Sequence, residues 1–450
     1  MHRLKVLAGL LALALLLPAG VASAQTGSAD FTRYVAFGDS LTAGFSSGSI
    51  NQKFQNNSYP ALLNRQATGR GFEQPLVSEP GLPGILRLTS LLPSPSISPT
   101  PGQGQPINLN LQRIYDNVAI PGARLHDLLT KTQSTSATDP TDLVLRHLGG
   151  TQLQQGLSRQ PTFVTLWIGN NDALAAATSG IVIDGVTLTT AEQFDAEFRQ
   201  VAAAIASTGA KMAIANIPDV TSIPFVTTIS RFVTLPNGQT ITLTGPNGPL
   251  QAGDFVLLTA SSEIAQGRGL PVGIGTGQPL SDSVVLSAAE AAAIQDRVNH
   301  YNATINAVVN ERGAALVDTN AALRDLRTHG VHVGGITYSS SFLTGGVFSY
   351  DGVHPTAFGY AFVANLFVDA INAKFGGDIE EVDLYPFVFG TAASSSTASV
   401  TGKGLTDNLT GFVFTAEARR SLLLSLGVPQ WIVDGTPAPK PHRPRRGGKG

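Results

Sequence analysis

Ser40 lies in the stretch "YVAFGDSLTAGF", Tyr34 to Phe45, where an apolar run meets Gly38, Asp39 and Ser40. A serine hydroxyl is a poor nucleophile until a base takes its proton, so its chemistry depends on a histidine. Eight are present: His2, His126, His147, His300, His329, His332, His354 and His442. His354 sits in "YDGVHPTAFGY", three residues after Asp351 and directly before Pro355. That spacing can bring a carboxylate against imidazole Nδ1 and leave Nε2 for Ser40. The acid would then fix the tautomer and stabilise the imidazolium. The competing use of Ser40 is a helix cap in a plain strand-to-helix turn.

Chain order narrows the chemistry. Gly-Asp-Ser also surrounds the nucleophile of chymotrypsin-like proteases, but two glycines follow it there, and Leu41-Thr42 follow here. That fold and subtilisin both place the catalytic histidine before the serine. Once the N-terminal leader is discounted, no histidine precedes Ser40, so both orders fail. Acyl transfer also needs donors for a developing oxyanion. "LWIGNNDAL" puts Asn170 and Asn171 after Gly169, at the end of a strongly apolar run. "DNVAIPGARLHDLL" offers Gly122, where a missing side chain lets a backbone N–H approach a substrate. The N–H of Ser40, opening a helix, is a third donor.

Together these blocks resemble the GDSL, or SGNH, hydrolase family. Gly38-Asp39-Ser40-Leu41 matches its serine block, and Asn117-Val118-Ala119-Ile120-Pro121-Gly122 its second block. Gly169-Asn170-Asn171-Asp172 matches Gly-x-Asn-Asp, and Asp351-Gly352-Val353-His354-Pro355 matches Asp-x-x-His-Pro. The blocks keep the family order over residues 38–355. The resemblance implies a flavodoxin-like three-layer α/β/α fold and hydrolysis of carboxylic esters without metal or organic cofactor. It implies Ser40 as nucleophile, His354 as base and Asp351 as its partner. It implies oxyanion donors from the Ser40 N–H, the Gly122 N–H and the Asn171 side chain; Asn171, not Asn170, aligns with the motif. Asp39 then reads as a cap and Asp172 as support for the Asn171 loop.

These side chains need a scaffold, and the pattern around them supplies one. Tyr34–Phe37, Thr162–Ile168, Lys211–Ile217 and Ala314–Asp318 are short apolar runs of the kind buried strands show. Helical stretches separate them. Phe194–Ser207 ends before Gly209, Ser287–Arg312 opens with Ser287 and Glu290 in capping-box spacing, and Pro355–Phe375 stops at Gly376. Strands alternating with helices predict a parallel sheet covered on both faces. Residues 77–110 and 219–286 interrupt the rhythm and read as insertions. The first is a candidate acyl-binding wall or lid. The second carries a hairpin around Asn237-Gly238, and a smaller hairpin is expected around Asp184-Gly185.

The 450 residues carry a formal net charge of −2 with 13% charged residues, which gives no electrostatic footprint for nucleic acid. There is no cysteine, so disulfides, a thiol nucleophile and thiolate zinc sites are excluded. His329 and His332 read as surface residues, and His126 and His300 as packing or surface positions on helices. Arg3 and Lys5, the apolar run Val6–Leu17 and Ala22-Ser23-Ala24 predict a signal peptide over 1–24 and a secreted or periplasmic product. The hydrolase domain is expected over 25–435. A disordered, basic, proline-rich tail is expected over 436–450, its charge suited to weak contact with an anionic surface. The expected partner is a small-molecule or lipid ester. Two alternatives share these features: a deacetylase of acetylated polysaccharide using the same triad, and a non-catalytic surface-binding module on the same fold.

Overall fold

The computed structural model describes residues 26–90, 95–133, 140–235, 237–389 and 413–439. The expected signal peptide and the end of the expected tail, 440–450, lie outside them. Four parallel strands form the central sheet in the order β1 (Tyr34–Gly38), β2 (Phe163–Trp167), β3 (Lys211–Ala215) and β4 (Ala315–Val317). Tyr34 registers with Phe163, Phe163 with Lys211, and Ala315 with Ala213. A single parallel bridge, Asn117 to Ala36, extends the outer edge of β1. Counting that bridge as the second strand, the order is 2-1-3-4-5, the flavodoxin-like order, which reverses direction beside β1.

Each strand buries both faces, so its side chains alternate between two cores. Val35, Phe37, Val164, Leu166, Met212 and Ile214 point one way. Tyr34, Ala36, Phe163, Trp167, Ala213 and Ala215 point the other. This two-sided burial is why the strands read as near-continuous apolar runs. Among the helices, seven bear on the site and its packing: α1 (Ser40–Ala43), α2 (Tyr59–Thr68), α3 (Asn171–Ser179), α4 (Ala191–Ala206), α5 (Ala288–Arg312), α6 (Ala357–Phe375) and α7 (Ala416–Ser425). Helices α3, α4 and α5 cover the first face, and α2 and α6 the second. Tyr59 of α2 stacks on Phe367 of α6 at 4.3 Å between ring centroids, with Trp167 edge-on at 5.7 Å. Each fully buried aromatic of this kind contributes about 1.5–3 kcal/mol.

Local signals set the helix ends. Ser287 and Glu290 exchange the two hydrogen bonds of a capping box at the start of α5. Helix α6 begins at Ala357 because the Gly359 N–H donates to Thr356 Oγ1, so Pro355 lies just outside it. The hairpin around Asn237-Gly238 forms, with Phe232–Thr234 antiparallel to Thr240–Thr242. The one expected around Asp184-Gly185 does not. Thr187 Oγ1 accepts the Ile183 N–H and donates to the Ile181 carbonyl, so a side chain takes up the backbone that a ladder needs. In the first insertion Leu86–Ser90 pairs antiparallel with Ser96–Pro99, and Val413–Phe414 adds a parallel third strand. Leu86 and Ile97 join the core of the first face rather than lying on the surface.

Candidate active site

Gly38 closes β1 where the chain leaves no room for a side chain. A Cβ there would lie 2.1 Å from Thr42 Oγ1 and 2.5 Å from the Trp167 carbonyl oxygen. Asp39 is non-helical (φ −110°, ψ −149°) and caps α1: its Oδ1 accepts the Leu41 N–H at 2.9 Å. Strand therefore becomes helix within one residue. Ser40 is the first helical residue, at the carboxyl edge of the sheet beside the order reversal, where open α/β sheets bind ligands.

The loop Phe348–Pro355 brings His354 to it. His354 Nε2 lies 2.9 Å from Ser40 Oγ, and His354 Nδ1 lies 2.9 Å from Asp351 Oδ2. Gly352 turns the loop at φ +70°, which lets Asp351 Oδ1 accept the N–H groups of Val353 (2.9 Å) and His354 (2.8 Å). Oδ2 also accepts the Gly48 N–H at 2.7 Å. Ser40, Asp351 and His354 are 1%, 0% and 1% exposed, so these bonds face no competition from bulk water. Burial alone would raise the Asp351 pKa. The charge of His354 and the hydrogen bonds from His354 and Val353 outweigh it and hold the carboxyl below its ordinary 3.8. Phe45 packs its ring 4.7 Å from the imidazole.

The candidate oxyanion groups are the Ser40 N–H, the Gly122 N–H and the Asn171 amide. Neither the Ser40 N–H nor the Gly122 N–H meets an acceptor among the described residues. Gly122 has φ +78°. Asn171, the first residue of α3, donates from Nδ2 to the carbonyl of Ala123, the residue after Gly122, at 2.9 Å. Asp172 pins the same turn: Oδ2 accepts the Leu125 N–H (2.9 Å) and Oδ1 accepts the Thr189 hydroxyl (2.7 Å). Burial raises its pKa against those bonds. Asn117 donates to the Thr42 carbonyl at 2.9 Å and accepts the Ala119 N–H at 3.1 Å, fastening this loop to the end of α1. Asn170 points elsewhere: its Nδ2 donates to Asp39 Oδ2 at 2.9 Å. Asp39 lies outside the contacts among Ser40, His354 and Asp351, and burial pushes its pKa up to about 6 despite bonds from Asn170 and Leu41.

Several participants carry no motif. Gly48 and Phe45 lie in the small-residue stretch after Ser40, and Ser349 accepts the Ser47 N–H at 2.8 Å, tying that stretch to the Asp351 loop. The run Ser46-Ser47-Gly48-Ser49 was the available signal, since small residues permit close backbone approach. Among the described residues the other histidines lie apart from this constellation. His126 contacts Glu197, His329 contacts Asp325 and His332 contacts Thr337 at the surface. His300 lies exposed on α5. Among the described residues no three His, Asp or Glu gather as a metal site would require.

A 2-1-3-4-5 parallel sheet between helical layers, with a serine at its switch point, is the architecture of an α/β/α hydrolase. The family model for GDSL-like lipase/acylhydrolase matches residues 34–367; the chain belongs to that family and is a carboxylic ester hydrolase of the GDSL type. No curated protein matches it by sequence. Among solved structures it is similar to an α/β hydrolase enzyme, LAE5, from the metagenome of Lake Arreo, Spain: 15% identity, 76% of this chain and 96% of that one, TM-score 0.36. It is similar to phospholipase A1 from Streptomyces albidoflavus NA297 at 17% identity, covering 76% and 98%, TM-score 0.32. A catalytic mutant of Axe2, an acetylxylan esterase from Geobacillus stearothermophilus, matches at 11% identity over 75% and 93%, TM-score 0.34. Likeness at this level speaks to neither substrate nor site.

Proposed function

We propose that the protein is an exported serine esterase that works through an acyl-enzyme on Ser40. The observation that carries this reading is the unbroken chain of contacts, each 2.9 Å, from Ser40 Oγ through His354 to Asp351. Ser40 Oγ attacks the ester carbonyl carbon while His354 Nε2 takes its proton. Asp351, an ionised acceptor at neutral pH, keeps the second imidazole proton on Nδ1 and stabilises the imidazolium. The carbonyl oxygen becomes an oxyanion that receives the N–H groups of Ser40 and Gly122 and the Asn171 amide. Collapse breaks the bond to the alcohol oxygen, which takes the proton from His354 Nε2. Water then attacks the acyl-enzyme while His354 Nε2 takes its proton; the acyl carbon–Ser40 Oγ bond breaks, Oγ recovers that proton from His354, and the carboxylic acid leaves. Export rests on the basic start, apolar run and Ala22-Ser23-Ala24 site of the N-terminus.

Labelling with a fluorophosphonate, with turnover of p-nitrophenyl acetate alongside, tests the nucleophile. Wild type takes one phosphonyl group at Ser40 and hydrolyses the ester. Ser40→Ala loses both while keeping its circular dichroism spectrum. An unlabelled wild type, or an active Ser40→Ala, refutes the assignment.

A further inference from the structure

The family match ends at residue 367, yet a segment beyond it returns to the active-site loop. Helix α7 buries Ala418, Leu422 and Leu423 in the same core as Val118 and Ile120 of the Gly122 loop. Its start is held at two places: Val413 and Phe414 pair with Ser96 and Ile97, and the Phe414 N–H donates to Ser261 Oγ at 2.9 Å. Its end is a Schellman turn. Gly427 stands at φ +74°, its N–H donates to the Leu424 carbonyl at 3.1 Å, and the Val428 N–H donates to the Leu423 carbonyl at 3.0 Å.

That turn lies backbone to backbone on Gly122. A Cβ on Gly122 would lie 2.8 Å from the Ser425 carbonyl oxygen, and a Cβ on Gly427 would lie 2.9 Å from the Gly122 carbonyl oxygen. Two glycines in left-handed conformations thus meet with no side chain between them. Arg124, two residues after Gly122, reaches across the same junction. Its guanidinium donates to the Gly427 carbonyl at 3.5 Å and to the Val186 carbonyl. The Gly122 turn is therefore pinned by Asp172 from α3 on one side and by the α7 turn on the other.

We propose that Gly427 and Arg124 are positioning residues for the ester reaction, and that the turn after α7 holds the Gly122 N–H at the developing oxyanion. This rests on the reading of Gly122 as an oxyanion donor. A rigid backbone contact suits the task, because a donor must sit where charge will form before it forms. A carbonyl pressed by a new methyl group moves the whole peptide plane that follows Gly122, and with it the turn that presents the N–H.

The test compares two alanine substitutions at helix-terminal glycines in the full-length protein. Gly427→Ala adds both the left-handed backbone penalty and the methyl against Gly122. Gly376→Ala, at the end of α6 with φ +67° and nothing within 4 Å of its Cβ position, adds the backbone penalty alone. With p-nitrophenyl acetate, Gly427→Ala is expected to lower kcat by about 10- to 100-fold with KM within about twofold, the scale for misplacing a group by up to an ångström. Inhibition by phenylboronic acid, whose adduct with Ser40 is tetrahedral, weakens in parallel. Gly376→Ala keeps kcat within about twofold while its Tm falls, since its backbone penalty lies far from the donors. Arg124→Met, which keeps the apolar stem, lowers kcat several-fold and decides the matter if Gly427→Ala does not fold. Folded Gly427→Ala with the kcat of Gly376→Ala, a loss confined to KM, or unchanged kcat in Arg124→Met overturns the inference alone. A wild type that neither turns over nor labels at Ser40 overturns the nucleophile reading and this inference with it.

Discussion

Replacing Asp351 by Asn separates orientation from charge at the proposed triad, and the structure dictates which way the new amide turns. Both carboxylate oxygens accept backbone N–H groups: Oδ1 from Val353 and His354, Oδ2 from Gly48. An NH2 in the Oδ1 position would oppose two donors; in the Oδ2 position it opposes one and also faces His354 Nδ1. The second orientation is the cheaper. It leaves the Gly48 N–H unpaired, at a cost of about 1–3 kcal/mol for a buried donor. It also makes Nδ1 an acceptor, so the imidazole proton moves to Nε2, which then cannot take the Ser40 proton. Loss of kcat by about 10⁴ follows, the scale for the wrong tautomer in a serine triad. The stability cost depends on pH. Because the folded Asp351 pKa lies below the ordinary 3.8, its contribution is present above that value and is lost as pH falls through the folded one. The Tm gap between wild type and Asp351→Asn is therefore widest at neutral pH and narrows as the pH falls below 3.8. The assays are kcat for p-nitrophenyl acetate and thermal unfolding by circular dichroism at pH 3 to 8. A kcat within about tenfold of wild type would refute the orienting role, because a wrong tautomer cannot be that mild. A Tm gap independent of pH would refute the depressed carboxyl.

Two further substitutions probe its neighbours. Asn171→Ala is expected to lower kcat by about 10²–10³ with little change in KM, the scale for one oxyanion donor, and a loss purely in KM would count against that role. Asp39→Asn is expected to stabilise the protein more at pH 8 than at pH 4. The buried Asp39 carboxyl has a folded pKa of about 6 against an ordinary 3.8, so its ionisation costs stability as pH rises through that window. The difference approaches roughly 3 kcal/mol at about 1.4 kcal/mol per pH unit. Asn170 can turn its amide to meet the substitution, since its Oδ1 has no partner among the described residues. Equal Tm shifts at both pH values, measured calorimetrically, would show that Asp39 does not titrate there.

Much of the scaffold is written locally. Strands buried on two faces must be apolar at nearly every position, and β1, β2 and β3 read that way because both cores claim them. Caps are equally legible, since Ser287 with Glu290, or Asp39 with Leu41, need only a few residues to satisfy the first N–H groups of a helix. The Asp184-Gly185 stretch was misread for a related reason. Its composition suits a hairpin, but the Val186, Thr187 and Leu188 N–H groups turn onto the Ile183 carbonyl while Thr187 Oγ1 takes the Ile183 N–H.

What determines the chemistry in outline is therefore local: residue types, spacing and order offer Ser40, Asp351, His354, Gly122 and the Asn170-Asn171 pair as candidates, and the family resemblance selects Asn171. Tertiary structure alone decided the contacts that hold them. The Gly48 N–H reaches Asp351 across 303 residues, and Arg124 reaches Gly427 across the same separation. No periodicity or cap records such a pair. A period of 2 or 3.6 reports which face of an element is buried, not which distant backbone it is buried against. That choice belongs to packing, where two glycines can meet only because the strands and helices around them have already fixed the distance.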